Sequence, residues 1–336
     1  MVNVGYPRAG THYPRSVGEF QSWFATDADC LDFLEWLRWP DGFVCPRCEN
    51  AGGWRISDGS FKCARCKAQT AVTAGTLFDR RRTLLTVWFQ VCWEFATAKD
   101  GVSALAVQRT LEIGSYQTAW AMLHRLRSVL IRPGRELLSG QVEVDETYIG
   151  GQEAGLAGGR VKGKKALLAV AVEIKPPNGF GRCRMRIIPD GSATTLHTFI
   201  TDTHDRRSQR AAKSLGEDIG NSFPGVHRVA SLTKRWLLST HQGAVRVEHL
   251  PGYLDDFSFR FNRRHSRSRG LVFLRVLQLA TNHDPVRYGQ LIARSGPKKQ
   301  RPVPPENRGH PPSLDRPRVT RPWRRAPSRS EVGSDG

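Results

Sequence analysis

Two different spacings of apolar residues follow one another along this chain. Apolar residues recur at helical intervals through residues 17–40, and again through 84–101, 103–111 and 115–130. From residue 141 they alternate with polar residues, which is the spacing of a half-buried β-strand. The pattern therefore predicts a helical first part and a second part that contains a sheet.

The second part has an informative order of elements. Three β-rich runs are separated by glycine and proline turns, and SATTLHTFITDT (192–203), which has helical spacing, comes after them. The runs are QVEVDETYIGG (141–151), ALLAVAVEI (166–174) and RCRMRIIPD (182–190). Three antiparallel strands and then a helix, with an acid central in the first strand, form the opening half of a ribonuclease-H-like fold. The pattern predicts that α/β fold here.

Asp145 is the acid in the first of these runs. Val142 and Val144 alternate with Glu143 and Asp145, and glycine ends the run at 150–151. An inward carboxylate on a strand needs a ligand or a partner, and its rigid placement suits metal binding. The alternative is an exposed aspartate at the edge of the strand.

The charge balance indicates a polyanionic partner. The chain has 51 Lys and Arg against 31 Asp and Glu, a net charge of +20, and the positive charge gathers in a few segments. Such clusters attract phosphate polymers, so DNA is the expected partner, although a basic solubilising surface is the alternative. There is no run of about 18 apolar residues and no signal peptide core, which predicts a cytoplasmic, nucleoid-associated protein without a membrane partner.

Four of the seven cysteines form two CxxC pairs. Cys45 and Cys48 are separated from Cys63 and Cys66 by 14 residues, a spacing close to that of structural zinc sites. We predict a four-cysteine zinc ribbon; a disulfide framework or a redox pair is the alternative. The remaining three, Cys30, Cys92 and Cys183, lie in apolar runs and are expected in the core.

The helical segments after the cysteines resemble a helix-turn-helix. Segments 103–111 and 115–130 flank a turn that contains Gly114. The second helix would then lie in a DNA groove. Packed helices without a DNA contact fit the pattern nearly as well.

Several ordered motifs resemble bacterial insertion-sequence transposases of the family with an N-terminal zinc ribbon and a DDE-type, ribonuclease-H-like integrase domain. The resemblance spans residues 17–292. It implies an enzyme that nicks DNA at the ends of the element and joins the freed 3′ hydroxyls to target DNA. The motifs are RWPDGFVCPRC (38–48), FKCARC (61–66), GTLF (75–78), VEVDETYIGG (142–151), LTKRWLLSTHQGAV (232–245) and HLPGYLDDFSFRFNRR (249–264).

The resemblance also implies the site residues. Asp145 corresponds to the first catalytic acid, which binds Mg²⁺ or Mn²⁺. His227 stands where the family commonly has Glu or Asn, as a metal ligand, or else it is a capping or core histidine. Lys234 lies two helical turns further on and would contact DNA phosphate. The chemistry at two element ends implies a homodimer or a larger assembly on DNA.

The chain departs from the family at the second acid. That acid normally ends a fourth strand, in a stretch resembling TDGW, but after FITDT this chain has a polar passage without an apolar β run between Ile200 and Val226. We therefore expect that the fourth strand is missing through a deletion near 203–204, and that catalysis is impaired. The alternatives are an inactive DNA-binding remnant that recognises element ends, and a chain that folds stably only in its first 135 residues.

Two further sets of basic residues are candidate phosphate contacts. One lies in the loop after the first strand and the other in an Arg-rich segment near residue 260: Lys162, Lys164, Lys165, Arg260, Arg263 and Arg264. The expected segments are an N-terminal helical region (1–40), the zinc ribbon (41–78), a helical DNA-binding segment (83–132), the catalytic domain (140–292) and a disordered basic, Pro-rich tail (295–336).

Overall fold

A computed structural model gives the fold. It describes residues 6–131, 134–150, 165–177, 179–205, 210–211, 223–243 and 245–292. Backbone contacts divide the chain into two compact units, and labels below follow chain order across both. Unit 1 is Met1–Val129 with Ser266–Gly336, and unit 2 is Leu130–His265. No helix in the described ranges is long and apolar enough to cross a membrane.

Unit 1 is built from helices around an aromatic core. Its helices are α1 (Val17–Trp23), α2 (Asp27–Arg38), α3 (Leu85–Thr97), α4 (Ala104–Thr110), α5 (Tyr116–Ser128), α9 (Arg269–Thr281) and α10 (Tyr288–Ile292). A capping box starts α2, because Thr26 accepts from the N–H of Asp29 while the Asp29 carboxylate accepts from the N–H of Thr26. Such caps typically stabilise a helix by about 1 kcal/mol. The predicted helices are thus confirmed, with ends a few residues inside the periodic segments.

Helix α9 belongs to unit 1 because of its aromatic contacts. Phe273 on α9 lies 5.5 Å from the Phe20 ring of α1 and 6.0 Å from the Phe89 ring of α3. The backbone N–H of Leu77 donates to the carbonyl of Ala280 at the end of α9. The segment 140–292, which the sequence predicts as the catalytic domain, includes this helix, and the buried face of the helix packs in unit 1.

The cysteine segment forms a small antiparallel sheet in unit 1. Its strands are β1 (Gly53–Arg55), β2 (Phe61–Cys63) and β3 (Gln69–Thr70), in the order β1-β2-β3. Phe61 stacks on Phe43 at 4.8 Å, and Trp39 packs edge-on against both rings. These three rings supply the apolar contacts of a segment that is too short for a large core.

Unit 2 has a four-stranded sheet with helices on both faces. The strands are β4 (Gln141–Ile149), β5 (Ala166–Lys175), β6 (Gly179–Ile188) and β7 (Arg210–Ala211), and the helices are α6 (Ala193–Thr203), α7 (Pro224–His241) and α8 (Leu250–Asn262). The sheet order is β6-β5-β4-β7; β4, β5 and β6 are antiparallel neighbours, and β7 is parallel to β4. Strand β5 is buried on both faces, which explains its uninterrupted apolar run.

The two faces of the sheet bury different apolar clusters. Leu168 and Val170 of β5 pack in the cluster formed with α7 and α8. Leu167 and Ala169 face the other way, toward Phe199 of α6. Strand β4 has the same alternation, so its odd-numbered residues share the face covered by α7.

Candidate functional site

The four paired cysteines lie together in the ribbon. Their sulfur atoms are all within 4.8 Å of one another. The Sγ atoms of Cys45 and Cys66 are 3.6 Å apart, as are those of Cys48 and Cys63. A zinc ion with Zn–S bonds of about 2.3 Å in tetrahedral geometry would separate its sulfurs by about 3.8 Å, so the four residues fit structural zinc.

Both CxxC turns have the same backbone hydrogen bonds. The N–H of Glu49 donates to the carbonyl of Cys45, and the N–H of Lys67 donates to the carbonyl of Cys63. Glu49 and Lys67 both have left-handed backbone, with φ of 56° and 58°. The backbone N–H groups of Cys66 and then Arg65 lower the pKa of Cys63 to about 6, although burial opposes this. The second turn thus stabilises the thiolate form of Cys63, which is the form that binds metal.

Asp145 lies in the middle of β4, an interior strand, and is half-buried. It pairs with Val170 of β5 and shares the α7 face of the sheet with Glu143 and Thr147. The sequence pattern predicted this alternation. The carboxylate is therefore positioned by a strand that has neighbours on both sides.

Helix α7 is attached to β4 on each side of Asp145. Before it, the buried Glu143 carboxylate accepts the backbone N–H groups of Gly225 (2.7 Å) and Val226 (3.1 Å). After it, Lys234 donates from Nζ to the Thr147 hydroxyl at 3.0 Å. The four residue steps from 143 to 147 span about 13 Å of strand, which matches about 13 Å of helix between 225 and 234.

His227 occupies the first turn of α7 and is exposed. Within the described ranges, the four cysteines are the one group of three or more potential metal ligands, and neither Asp145 nor His227 belongs to such a group. The described donors near Asp145 thus do not form a set that fits two divalent ions.

A cavity opens at the far end of β4. Its volume is about 480 Å³, and two ammonium groups contribute to its wall. Lys165 at the start of β5 and Lys234 on α7 provide these charges, with Glu146 as the acidic group. The remaining lining residues are Thr147, Tyr148, Gly150, Leu167 and Gly191. The cavity therefore offers a mixed but mainly cationic lining a short distance along the strand from Asp145.

The position beside β4 where a fourth strand would lie is partly filled. Leu138 and His204 form a parallel bridge, and β7 pairs with Val142 and Glu143 over its two residues. The expected absence of a fourth strand is therefore not confirmed. The backbone after α6 reaches the edge of β4 even though its residues are polar, because a parallel pairing of this length requires only backbone groups.

Two family comparisons match separate parts of the chain. The transposase zinc-ribbon domain matches residues 25–69, and the ISXO2-like transposase domain matches residues 137–213. The first match contains the four cysteines and the second contains Asp145. The two matches support an IS1595-family DDE transposase.

The second match ends before α7, so it does not include His227 or Lys234 of the transposase. No curated protein and no solved structure is significantly similar to the transposase.

The arginines near residue 260 have partners within unit 2 of the transposase. Arg260 pairs with the buried Asp256 at 2.6 Å. The Arg263 guanidinium lies 3.8 Å from the centre of the Phe259 ring. The Arg264 guanidinium lies on the Phe261 ring and donates to backbone carbonyls on β6. Their predicted phosphate contacts stay a prediction.

Of the predicted loop lysines, Lys162 and Lys164 lie outside the described residues, whereas Lys165 lines the cavity. The site predicted from the sequence did not include Glu143, Thr147 and Gly225 of the transposase. The shared face of the first two on β4 follows from the alternation, but their partners on α7 lie about 80 residues away in the chain.

Proposed function

We propose that the chain is a DNA transposase whose second unit is a ribonuclease-H-like catalytic domain that uses Asp145, and that its strand cleavage and strand transfer are impaired. The observation that carries the proposal is the sheet order β6-β5-β4-β7, with Asp145 central on β4 and a parallel neighbour in the fourth position. Three antiparallel strands with a fourth parallel to the first is the arrangement expected of such a domain.

The impairment follows from the acids available beside Asp145. The sequence has no acidic residue between Asp205 and Glu217, the interval in which β7 lies. Glu143, which lies two residues before Asp145 on the same face, is buried and accepts hydrogen bonds from α7. When two divalent ions are bound by several carboxylates, they stabilise the attacking and leaving oxygens of a phosphodiester. One half-buried carboxylate is not sufficient for that arrangement.

The remaining residues of the site have proposed roles of their own. His227 would offer an imidazole nitrogen to a metal ion, which favours Mn²⁺ over Mg²⁺ more than a carboxylate does. Lys165 and Lys234, which line one cavity, would hold DNA phosphate near the carboxylate. Action at two element ends requires at least two copies of the chain on DNA, so we propose a homodimer or larger assembly in the bacterial nucleoid.

The second candidate function is DNA binding without catalysis. The acid-poor interval around β7 favours it, and the four-cysteine ribbon and the α4–α5 pair would recognise the element ends. The two candidates differ in one measurable property, which is residual joining of DNA strands.

A strand-transfer assay on an oligonucleotide that carries the element end tests both candidates, beside a gel shift on the same DNA. We expect binding, and joining that is weak with Mn²⁺ and weaker with Mg²⁺. Asp145→Asn should abolish the joining without changing binding, whereas Asp202→Asn, which alters an exposed acid on α6, should leave both unchanged. Binding with no joining by any variant would favour the second candidate. Absence of end binding would overturn both.

A further inference from the structure

The outer face of the ribbon sheet carries an exposed indole. Trp54 on β1 is 46% exposed, although Trp39, Phe43 and Phe61 already form the apolar contacts of this segment. Lys62 lies directly opposite Trp54 on β2 and is also exposed. Both side chains therefore point away from the buried face of the sheet, which holds Phe61 and Cys63.

A second lysine is held against the same ring. The Nζ atom of Lys67 lies 5.3 Å from the centre of the Trp54 ring and donates to the carbonyl of Ala64 at 2.8 Å. This holds a positive charge over one face of the indole ring. The two CxxC turns also carry exposed arginines, which are Arg47 and Arg65.

One acid close to this face is already engaged. Asp58 accepts hydrogen bonds from Ser60 and Gln69. Arg55, which faces the other side, pairs with Asp32. Single exposed apolar residues are common on proteins and need no explanation. An indole accompanied by two lysines is a different feature. The indole can stack on an unpaired base, and the lysines can bind the phosphates next to it.

We propose that this face, formed by Trp54, Lys62 and Lys67 and called here the indole face, binds single-stranded DNA. An unpaired base stacks on the face of Trp54 opposite Lys67, and the phosphates on either side lie near the two ammonium groups. Duplex DNA offers no free base surface to a side chain on a flat sheet, so the preference is for single strands. The inference rests on the DNA-binding function of the chain and does not require catalysis.

The first test compares variants of the full chain on oligo(dT) and on a duplex of the same length. We expect Trp54→Ala to weaken oligo(dT) binding roughly tenfold, and Trp54→Phe to retain most of it, because stacking needs an aromatic ring. Val44→Ala, at another exposed apolar residue of the ribbon, is the control and should change neither affinity. Zinc content per chain shows whether each variant keeps a folded ribbon.

The second test separates stacking from charge. Lys62→Gln should lower the slope of log K against log salt concentration for oligo(dT) by about 0.7, which is one phosphate contact on a single strand. Trp54→Ala should weaken binding without changing that slope. Arg8→Gln removes an exposed positive charge outside the ribbon and outside the helical DNA-binding segment, and it is the charge control.

Two binding results would contradict the proposal that the indole face binds single-stranded DNA. One is that Trp54→Ala binds oligo(dT) as tightly as the unmodified chain does. The other is that Trp54→Ala loses duplex affinity to the same extent as oligo(dT) affinity. Cross-linking with an iodouracil-substituted oligonucleotide should also map to Trp54, and adducts confined to other tryptophans would contradict the proposal. The proposed transposase function is tested separately, by binding and joining of the duplex element end, so its failure and a failure of the indole face are distinguishable.

Discussion

The carboxylate of Glu143 accepts the backbone N–H of Gly225 at 2.7 Å, across 82 residues of sequence. This bond places a buried negative charge at the N-terminus of α7, where the helix dipole favours it. It also brings the first turn of α7 against β4, two residues before Asp145 on the same face. The position of α7 relative to Asp145 therefore depends on the Glu143 carboxylate and on the glycine at position 225.

Gly225→Ala should destabilise unit 2. A Cβ atom there would lie 2.8 Å from the Glu143 Oε2 atom and 2.8 Å from the Ile174 Cδ1 atom, which is too close for real contacts. We expect the free energy of unfolding to fall by about 1–3 kcal/mol in urea denaturation. Gly191→Ala, where the nearest atom is at 4.0 Å, is the control, and an equal loss there would contradict the explanation.

Glu143→Gln tests the charge at the same contact. An amide oxygen can still accept a hydrogen bond, but it loses the charge-assisted part and the interaction with the helix dipole. We expect a loss of about 1–2 kcal/mol in the free energy of unfolding. Unchanged stability would show that the ionised carboxylate does not stabilise α7.

Removal of zinc should unfold the ribbon. The segment has three short strands and few apolar contacts besides its three rings, so metal binding supplies much of its folding free energy. Cys63→Ser should lower the zinc content per chain toward zero, and a chelator should make the segment near residues 41–70 sensitive to protease. Cys183→Ala, at a buried cysteine of unit 2, should retain the metal.

The stability of unit 2 should fall between about pH 4 and pH 6 through Asp255. Burial raises the pKa of Asp255 to about 6 despite the nearby Arg135, so the folded state binds a proton that the unfolded state has lost in this window. Stability contributed by the protonated form is fully present below the unfolded pKa and is lost as pH rises through 6. The free energy of unfolding of Asp255→Asn, relative to that of the unmodified chain, should rise by at most about 3 kcal/mol from pH 4 to pH 7.

The control for Asp255 is Asp202→Asn. Asp202 forms an exposed pair with Arg186, so its removal should not produce a gain with rising pH. Denaturation curves at four or five pH values would measure both differences. A difference between Asp255→Asn and the unmodified chain that stays constant with pH would refute the assignment.

Neutral substitution of Arg264 should lower stability, whereas neutral substitution of Lys165 should change DNA binding. Arg264 lies on Phe261 and donates to carbonyls of β6, so Arg264→Gln should lower the free energy of unfolding by about 1–3 kcal/mol. Lys165 lines the cavity near Asp145, so Lys165→Gln should reduce the salt slope of duplex binding by about 0.9 with little effect on stability. A reduced salt slope for Arg264→Gln at unchanged stability would instead favour the phosphate contact expected from the sequence.

Local sequence determined much of this protein. The spacing of the CxxC pairs predicted the four cysteines that meet in the ribbon, because those residues are held by short turns whose geometry depends on near neighbours. Helical spacing located the helices, and alternation placed Glu143 and Asp145 on one face of β4. These are short-range properties of the backbone, so a single sequence is sufficient to predict them.

The tertiary structure decided which distant segments meet. The backbone of α7 receives the carboxylate of Glu143, α9 packs in unit 1, and two residues of β7 pair with β4 where no strand was expected. No periodicity carries this information, since each contact joins segments far apart in sequence and is selected by the packing of the whole unit. The same reason explains why Arg264 could be recognised as basic from the sequence, while its carbonyl partners on β6 could not.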